Sequence, residues 1–336
     1  MGRLISDFRL QTSEIPIVIA HRGASGYRPE HTLTAYELAI NLGTDYIEPD
    51  LVSTKDGVLI ARHENEISQT TDVASHREFA HLQTTKIVDG EVKTGWFTED
   101  FTLAEIKTLR AKERIPQLRP ANIKYDGFWQ IPTLQEIIDL AKSRVIGIYP
   151  ETKHPTYFQS IGLPLEDTLI ANLEANGYQG TDAPVFIQSF EVGNLQYLAT
   201  KTDLPLVQLI NLTGKPYDFI VSGENRAYAD LITKSGLAEI AKYAHAIGIH
   251  KDILVPRDST GKLQSPTTLV HDAHAVGLEV HVWTFRDEDY FLPLDFQGNP
   301  QKEYELFFNL GIDGVFSDFA DHAVAVRDRT IYTSQQ

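Results

Sequence analysis

Residues 17–23, Ile17-Val18-Ile19-Ala20-His21-Arg22-Gly23, open the stretch that decides the fold, and Tyr46-Ile47-Glu48-Pro49-Asp50-Leu51-Val52 closes it. The first run is apolar and β-branched and ends in charged residues, which reads as a strand with a polar exit. Between the two runs, 32–42 places apolar residues near helical spacing, with Gly43 as a stop. The unit is therefore strand, helix, strand. Working outward, further strand candidates follow at 145–149, 185–187, 206–210, 245–249, 279–284 and 314–316. Helical patterns lie between most of them, at 133–142, 165–176, 235–246, 266–276 and 304–310. Thr133 with Glu136 forms a capping-box pattern, and Gly177, Gly277 and Gly311 stand as C-terminal stops.

Eight strands alternating with helices predict an α/β fold, a (β/α)8 TIM barrel over 14–330. A doubly wound sheet is the alternative. Two segments break the rhythm. Residues 65–130 are polar and carry Gly90, Gly95, Pro116, Pro120 and Gly127. They read as a small inserted subdomain after the second strand, on the catalytic face. Residues 211–234 read as a second long loop.

Composition narrows the function. With 30 basic and 46 acidic residues, the net charge is −16, which argues against nucleic acid as a partner. A phosphate ligand would need a local cationic pocket. There are no cysteines, so disulfides, zinc–thiolate sites and thiol catalysis are excluded. No stretch approaches the length of apolar chain that spans a bilayer, so stable membrane insertion is not expected. The first 16 residues show no basic-then-apolar signal pattern. That fits a cytoplasmic protein if Met1 is the native start, or a mature or trimmed chain. The motifs G-x-S-x-G, H-E-x-x-H, G-x-G-x-x-G and the P-loop are all missing.

In a barrel of this kind the active site forms where the strands exit. At the first exit stand His21 and Arg22, before a turn containing Gly23 and Gly26. Arg22 suits bidentate phosphate binding, and the glycines would let backbone N–H groups approach an anion. Alone, the pair reads equally well as a buried His beside a surface Arg. At the second exit Glu48 and Asp50 are two apart and share a face, so a hard cation such as Ca²⁺ or Mg²⁺ would suit the space between them. After the Asp56-Gly57 turn, 58–64 reads as a return that brings His63 back to the mouth, giving a second group for acid–base work. At the third exit Glu151 and Lys153 share a face, as a third metal ligand and a phosphate clamp or as a plain ion pair. Gln188 would bond a hydroxyl or phosphate. Trp283 would wall the site or simply pack in the core. His271, His274 and the run Asp287-Glu288-Asp289 read as solvated surface.

The runs His21-Arg22-Gly23-Ala24-Ser25-Gly26-Tyr27-Arg28-Pro29-Glu30-His31-Thr32 and Glu48-Pro49-Asp50-Leu51-Val52-Ser53-Thr54-Lys55-Asp56-Gly57, followed by His63-Glu64, resemble the glycerophosphodiester phosphodiesterase family. Pro150-Glu151-Thr152-Lys153 and Phe316-Ser317-Asp318-Phe319 are similar to its later motifs. The resemblance runs from about residue 17 to about residue 319, and it looks most like the periplasmic bacterial branch. Pro49 and Ser189 are the departures noted. The resemblance implies a barrel with an insertion after the second strand and a divalent cation on Glu48, Asp50 and Glu151. It implies His21 and His63 as the acid–base pair, with Arg22 and Lys153 on the phosphate. It also implies a small-molecule glycerophosphodiester as substrate and a periplasmic location. Two alternatives stand beside it: a phospholipase D-type barrel lyase acting on phospholipids, and a catalytically silent phosphate-binding barrel.

Overall fold

The computed structural model describes residues 15–334, with side chains to 330. The region read as lacking a signal pattern, and the first residue of the expected barrel, lie wholly or mostly outside the described residues. The main sheet is built from β1 (Ile17–His21), β2 (Tyr46–Glu48), β3 (Asp50–Ser53) and β4 (Leu59–Ala61), with β5 (Thr84–Val88) and β6 (Glu91–Gly95) forming a separate hairpin. It continues with β7 (Gly147–Ile148), β8 (Glu151–Thr152), β9 (Ile187–Ser189), β10 (Leu206–Ile210), β11 (Ala246–His250), β12 (Glu279–Phe285) and β13 (Gly314–Ser317).

Two prolines hide a closed ring in this list. Pro49 divides β2 from β3, and Tyr149-Pro150 divides β7 from β8, because proline has no N–H to give to a ladder. The carbonyls still accept across both breaks. Tyr149 N–H donates to the Ile47 carbonyl, Glu151 N–H to Pro49 and Lys153 N–H to Leu51, at 2.9, 2.9 and 3.0 Å. Gln188 N–H donates to Pro150 at 2.9 Å. Residues 46–53 and 147–152 thus each act as one strand. With β13 paired parallel to β1, eight parallel strands close on themselves. β4 alone runs antiparallel, against β3. Ile19, Tyr149, Val207, Ala246 and Phe316 fill the barrel interior, and the larger core lies between the strands and the outer helices. With its axis packed, the barrel leaves the mouth at the strand exits as the place for a site.

The helices follow the capping chemistry. Thr133 accepts from Glu136 N–H and Glu136 reaches back, starting the helix Leu134–Arg144. The start of the third expected strand differs from expectation. Val145 does not open a strand: it ends this helix in the left-handed region (φ 54°) and is 93% exposed. The run Val-Ile-Gly-Ile-Tyr reads as uniformly strand-like, but Ala141 and Lys142 carbonyls still accept N–H groups there and keep the helix going. Two expected helices are shorter, at Lys234–Ile240 and Leu269–His274. The loop at 211–234 carries two short helices, Tyr217–Ser222 and Tyr228–Leu231. Between β4 and helix Leu134–Arg144 the chain forms the β5–β6 hairpin and a series of 3-10 turns. No helix among the described residues is long and apolar enough to cross a membrane.

Candidate active site

β1 delivers His21 to the mouth and the chain turns sharply behind it. Arg22 and Gly23 both take positive φ, 62° and 85°. The Arg22 backbone N–H donates to Glu48 Oε2 at 2.8 Å, and its guanidinium Nη1 donates to Glu30 Oε2 at 3.0 Å. Arg22 Nε lies 3.3 Å from Asp50 Oδ2. Its side chain is therefore fixed by two carboxylates, Glu30 and Asp50, while Glu48 holds its backbone. The glycines of the turn do something other than expected. Gly23 N–H and Gly26 N–H donate to the Ala20 and Asp318 carbonyls and are not offered to an anion. Close packing explains them: a Cβ on Gly23 would meet the Ala35 backbone at 2.7 Å, and one on Gly26 the Phe319 ring at 2.5 Å.

The His21 ring is buried and its Nδ1–H donates to Asp318 Oδ1 at 2.6 Å. Burial and the neighbouring Arg22 pull its pKa down to about 4, against the opposing pull of Asp318. Asp318 follows β13. Its other oxygen accepts from Arg119 Nη2 and from Arg286 Nε, the latter at 2.9 Å. Burial works against its charge, but Arg119 and Arg286 outweigh it and hold the carboxyl well below the usual range.

Glu48, Asp50 and Glu151 converge from adjacent strand exits, and one oxygen of each lies within 4.8 Å of the others. All three are buried. Burial, then Asp50 and Glu151, raises Glu48 well above the usual carboxylate range. Glu151 is pushed up to about 8, first by burial. Asp50 goes the other way: burial would raise it, but Lys153, His63, the His31 hydrogen bond and Arg22 hold it well below. His31 Nε2 donates to Asp50 Oδ2 at 2.9 Å. Asp50 Oδ1 is buried with no hydrogen-bond partner. Three carboxylates this close are costly without a cation, and the orphaned oxygen is a free ligand atom, so the donor set fits a hard divalent ion.

β4 returns antiparallel to β3, and Arg62 N–H donates to the Asp50 carbonyl at 2.9 Å. That return carries His63 to the mouth. His63 Nδ1 is bound by Glu64 Oε1, and Lys153 Nζ lies 3.3 Å from His63 Nε2. Burial, then Arg22 and Lys153, lowers His63 to about 3. Lys153 also donates to Glu151 Oε1 at 2.8 Å, so the two form the plain ion pair.

Seven of the residues singled out from sequence line one cavity of about 340 Å³: His21, Arg22, Glu48, His63, Glu151, Gln188 and Trp283. Asp50 lies within the carboxylate cluster behind it. Lys153 reaches it through Glu151 and His63 and lines an adjoining cavity of about 330 Å³. Gln188 Nε2 donates to Glu48 Oε1 at 2.9 Å, while its own Oε1 is buried and unpartnered. Trp283 is half-buried, its Nε1–H donates to the Gly248 carbonyl at 2.9 Å, and its ring meets Phe190 edge-on at 5.7 Å. His274 is bound instead to Asp313.

Residues 21–322 match the model of the Glycerophosphoryl diester phosphodiesterase family. The chain belongs to this family. It is 41% identical over 325 residues to a glycerophosphodiester phosphodiesterase of Arabidopsis thaliana, covering 92% of this chain and 85% of that one. A glycerophosphodiester phosphodiesterase of Haemophilus influenzae is 32% identical, with 92% and 88% covered. Among solved structures, an Oleispira antarctica phosphodiesterase in complex with the product sn-glycerol-3-phosphate is similar at a TM-score of 0.61 and 21% identity, with 94% and 97% covered. That last likeness bears on the fold alone.

Sequence reasoning about the family motifs left several polar partners unassigned. Glu30, His31, Glu64 and Asp318 lie inside the quoted runs but carry no periodic signal of their own. Arg114 and Arg119 come from the polar segment after β4, where nothing in the spacing marks them. The acidic run at 287–289 was expected to be solvated. Asp287 and Glu288 are instead partly buried, bound by His322 and, at 2.6 Å, by Arg119.

Proposed function

We propose that the chain hydrolyses glycerophosphodiesters to an alcohol and sn-glycerol 3-phosphate. The observation that carries this reading is the convergence of two carboxylate-bound histidines, Arg22 and a buried carboxylate triad on one cavity. The names of the relatives and the product held by the Oleispira antarctica protein support the substrate class.

Glu48, Asp50 and Glu151 would hold the divalent cation, with Ca²⁺ and Mg²⁺ both suited to an all-oxygen donor set. When bound, such an ion neutralises charge on phosphoryl oxygens. Arg22 binds a non-bridging oxygen with a guanidinium already fixed by Glu30 and Asp50, so little reorganisation is needed as charge builds. Lys153 adds a second cation on the far side of Glu151. Gln188 offers its free carbonyl oxygen to a hydroxyl, and Trp283 forms an apolar wall for the glycerol carbons.

His21 and His63 move the protons. One imidazole accepts the proton of the glycerol 2-hydroxyl as its oxygen bonds to phosphorus. The other gives a proton to the alcohol oxygen as its bond to phosphorus breaks. The resulting cyclic phosphate is opened by water with the two roles exchanged. Barrel residues 14–330 supply this machinery, with 65–130 as an insertion whose Asp89 and Glu91 line the adjoining cavity.

A coupled assay for sn-glycerol 3-phosphate, run on glycerophosphocholine and on a lysophospholipid, tests the reading. Release from glycerophosphocholine is expected. Turnover of the lysophospholipid alone would favour a phospholipid-directed barrel lyase instead.

A further inference from the structure

Resting on the assignment of His21 and His63 as the proton-transfer pair, we infer that the inserted segment is a two-armed clamp that orients both histidines, with Arg119 and Arg114 as positioning residues.

The two arms repeat one pattern. On the first, His21 Nδ1–H is bound by Asp318 Oδ1, and Asp318 Oδ2 is bound by Arg119 Nη2. On the second, His63 Nδ1–H is bound by Glu64 Oε1, and Glu64 Oε2 lies 2.7 Å from Arg114 Nη2. Each chain of contacts runs from a strand-exit imidazole through a carboxylate on the barrel to an arginine on the insertion. Neither arginine is among the described residues lining the catalytic cavity. Their effect on the histidines passes through the carboxylate.

The carboxylate is where orientation is set. With one oxygen on the imidazole and the other on a guanidinium, its plane cannot turn freely. The Nδ1–H tautomer is then fixed and Nε2 is left as the unprotonated nitrogen, that of His63 lying 3.3 Å from Lys153 Nζ. Arg119 and Arg286 keep Asp318 ionised, and His63 and Arg114 do the same for Glu64, so each stays a hydrogen-bond acceptor.

The insertion is seated by the same contacts. Arg119 Nη1 donates to the Ser25 carbonyl at 2.9 Å, directly behind the His21 turn. Asn122 reaches the Ser25 and Gly26 carbonyls and donates to Glu113 Oε2 at 2.8 Å. Arg28 stacks over the Tyr125 ring at 4.2 Å. Docking of the lobe and orientation of the histidine are therefore one event.

The arms differ in redundancy. Asp318 keeps a second guanidinium, Arg286, if Arg119 is lost. Arg114 also bonds Glu30, which holds Arg22. The His63 arm should be the more sensitive of the two.

The test uses the full chain. Wild type is first assayed for glycerol 3-phosphate release, and a silent wild type would overturn the functional reading itself. With an active wild type, Arg119→Met and Arg114→Met are compared with Arg119→Lys and Arg114→Lys. Two readouts are taken: kcat against KM, and the ring ¹⁵N signals of His21 and His63. Loss of kcat on the order of 10-fold for Arg119→Met and 10²-fold for Arg114→Met is expected, with KM nearly unchanged and partial recovery in the lysine variants. Arg119→Met should shift the His21 signals alone, and Arg114→Met those of His63 alone. If the methionine variants do not fold, the same selective shift in the lysine variants decides. Unshifted rings with wild-type kcat, or both rings shifting together in either variant, would overturn the clamp.

Discussion

The strand exits line the catalytic cavity and the inserted lobe packs behind them, and the two place their side chains by opposite means. At the exits, position follows from the ladder. His21 stands opposite Glu48, and Asp50 opposite Glu151, because parallel pairing fixes which residues lie side by side. In the lobe, Arg114 and Arg119 sit among turns, held by ion pairs to residues as distant in sequence as Glu30 and Asp318. Groups that would touch substrate ride on the rigid frame. Groups that orient them arrive from irregular chain. The contrast matches a general pattern, in which a site is made accurate by the partners of its reacting groups.

The contrast breaks most visibly at the histidines. His21→Ala and His63→Ala should each lower kcat by ~10²–10⁴ while leaving the melting transition intact. Near-normal turnover in both would remove the exits from the chemistry. Asp318→Asn comes next, with a loss of about 10–100-fold in kcat, because the amide no longer balances the charge of a protonated His21. A loss as large as that of His21→Ala would show that the orienting partner and the reacting group act as one.

The carboxylate triad gives a smaller, pH-dependent effect. Glu151 is raised to about 8, first by burial, so without an ion it binds a proton at neutral pH, and Glu48 is shifted in the same direction. A cation must displace the Glu151 proton, and its apparent affinity should rise as pH climbs toward 8. Calorimetry in buffers of different ionisation heat would detect the released protons. A flat affinity across that range would contradict the arrangement of the triad.

The smallest effect lies outside the mouth. Val145 holds a left-handed conformation at φ 54° with its side chain in water. Val145→Gly removes that strain and should stabilise the fold by about 1 kcal/mol, read from urea unfolding. Destabilisation would mean that the Val145 side chain contributes packing that its exposure hides.

The same division explains what could be read from sequence. Alternating strand and helix patterns identified the barrel, and residues at five of the strand exits could be named, from His21 to Trp283, but not His250 and Lys251 at the end of β11, which also line the cavity. Period and turn signals encode these, since a strand end fixes its neighbours. Val145 was misread because a β-branched residue after a helix looks like the start of a strand. The glycines at 23 and 26 were misread because glycine permits both anion binding and close packing, and only the positions of Ala35 and Phe319 decide between them. Arg114, Arg119 and the burial of Glu288 were invisible because each depends on a contact between residues far apart in the chain. Pro49, a departure from the family pattern, cost no carboxylate: its carbonyl still accepts from Glu151 N–H.

The central claim is that His21, His63 and a cation held by Glu48, Asp50 and Glu151 hydrolyse a glycerophosphodiester. The most direct measurement is sn-glycerol 3-phosphate release by the purified chain, before and after chelation and after return of Ca²⁺ or Mg²⁺. Activity that chelation abolishes and one of these ions restores is expected. Full activity in chelator, or no release of glycerol 3-phosphate under any metal condition, would contradict it.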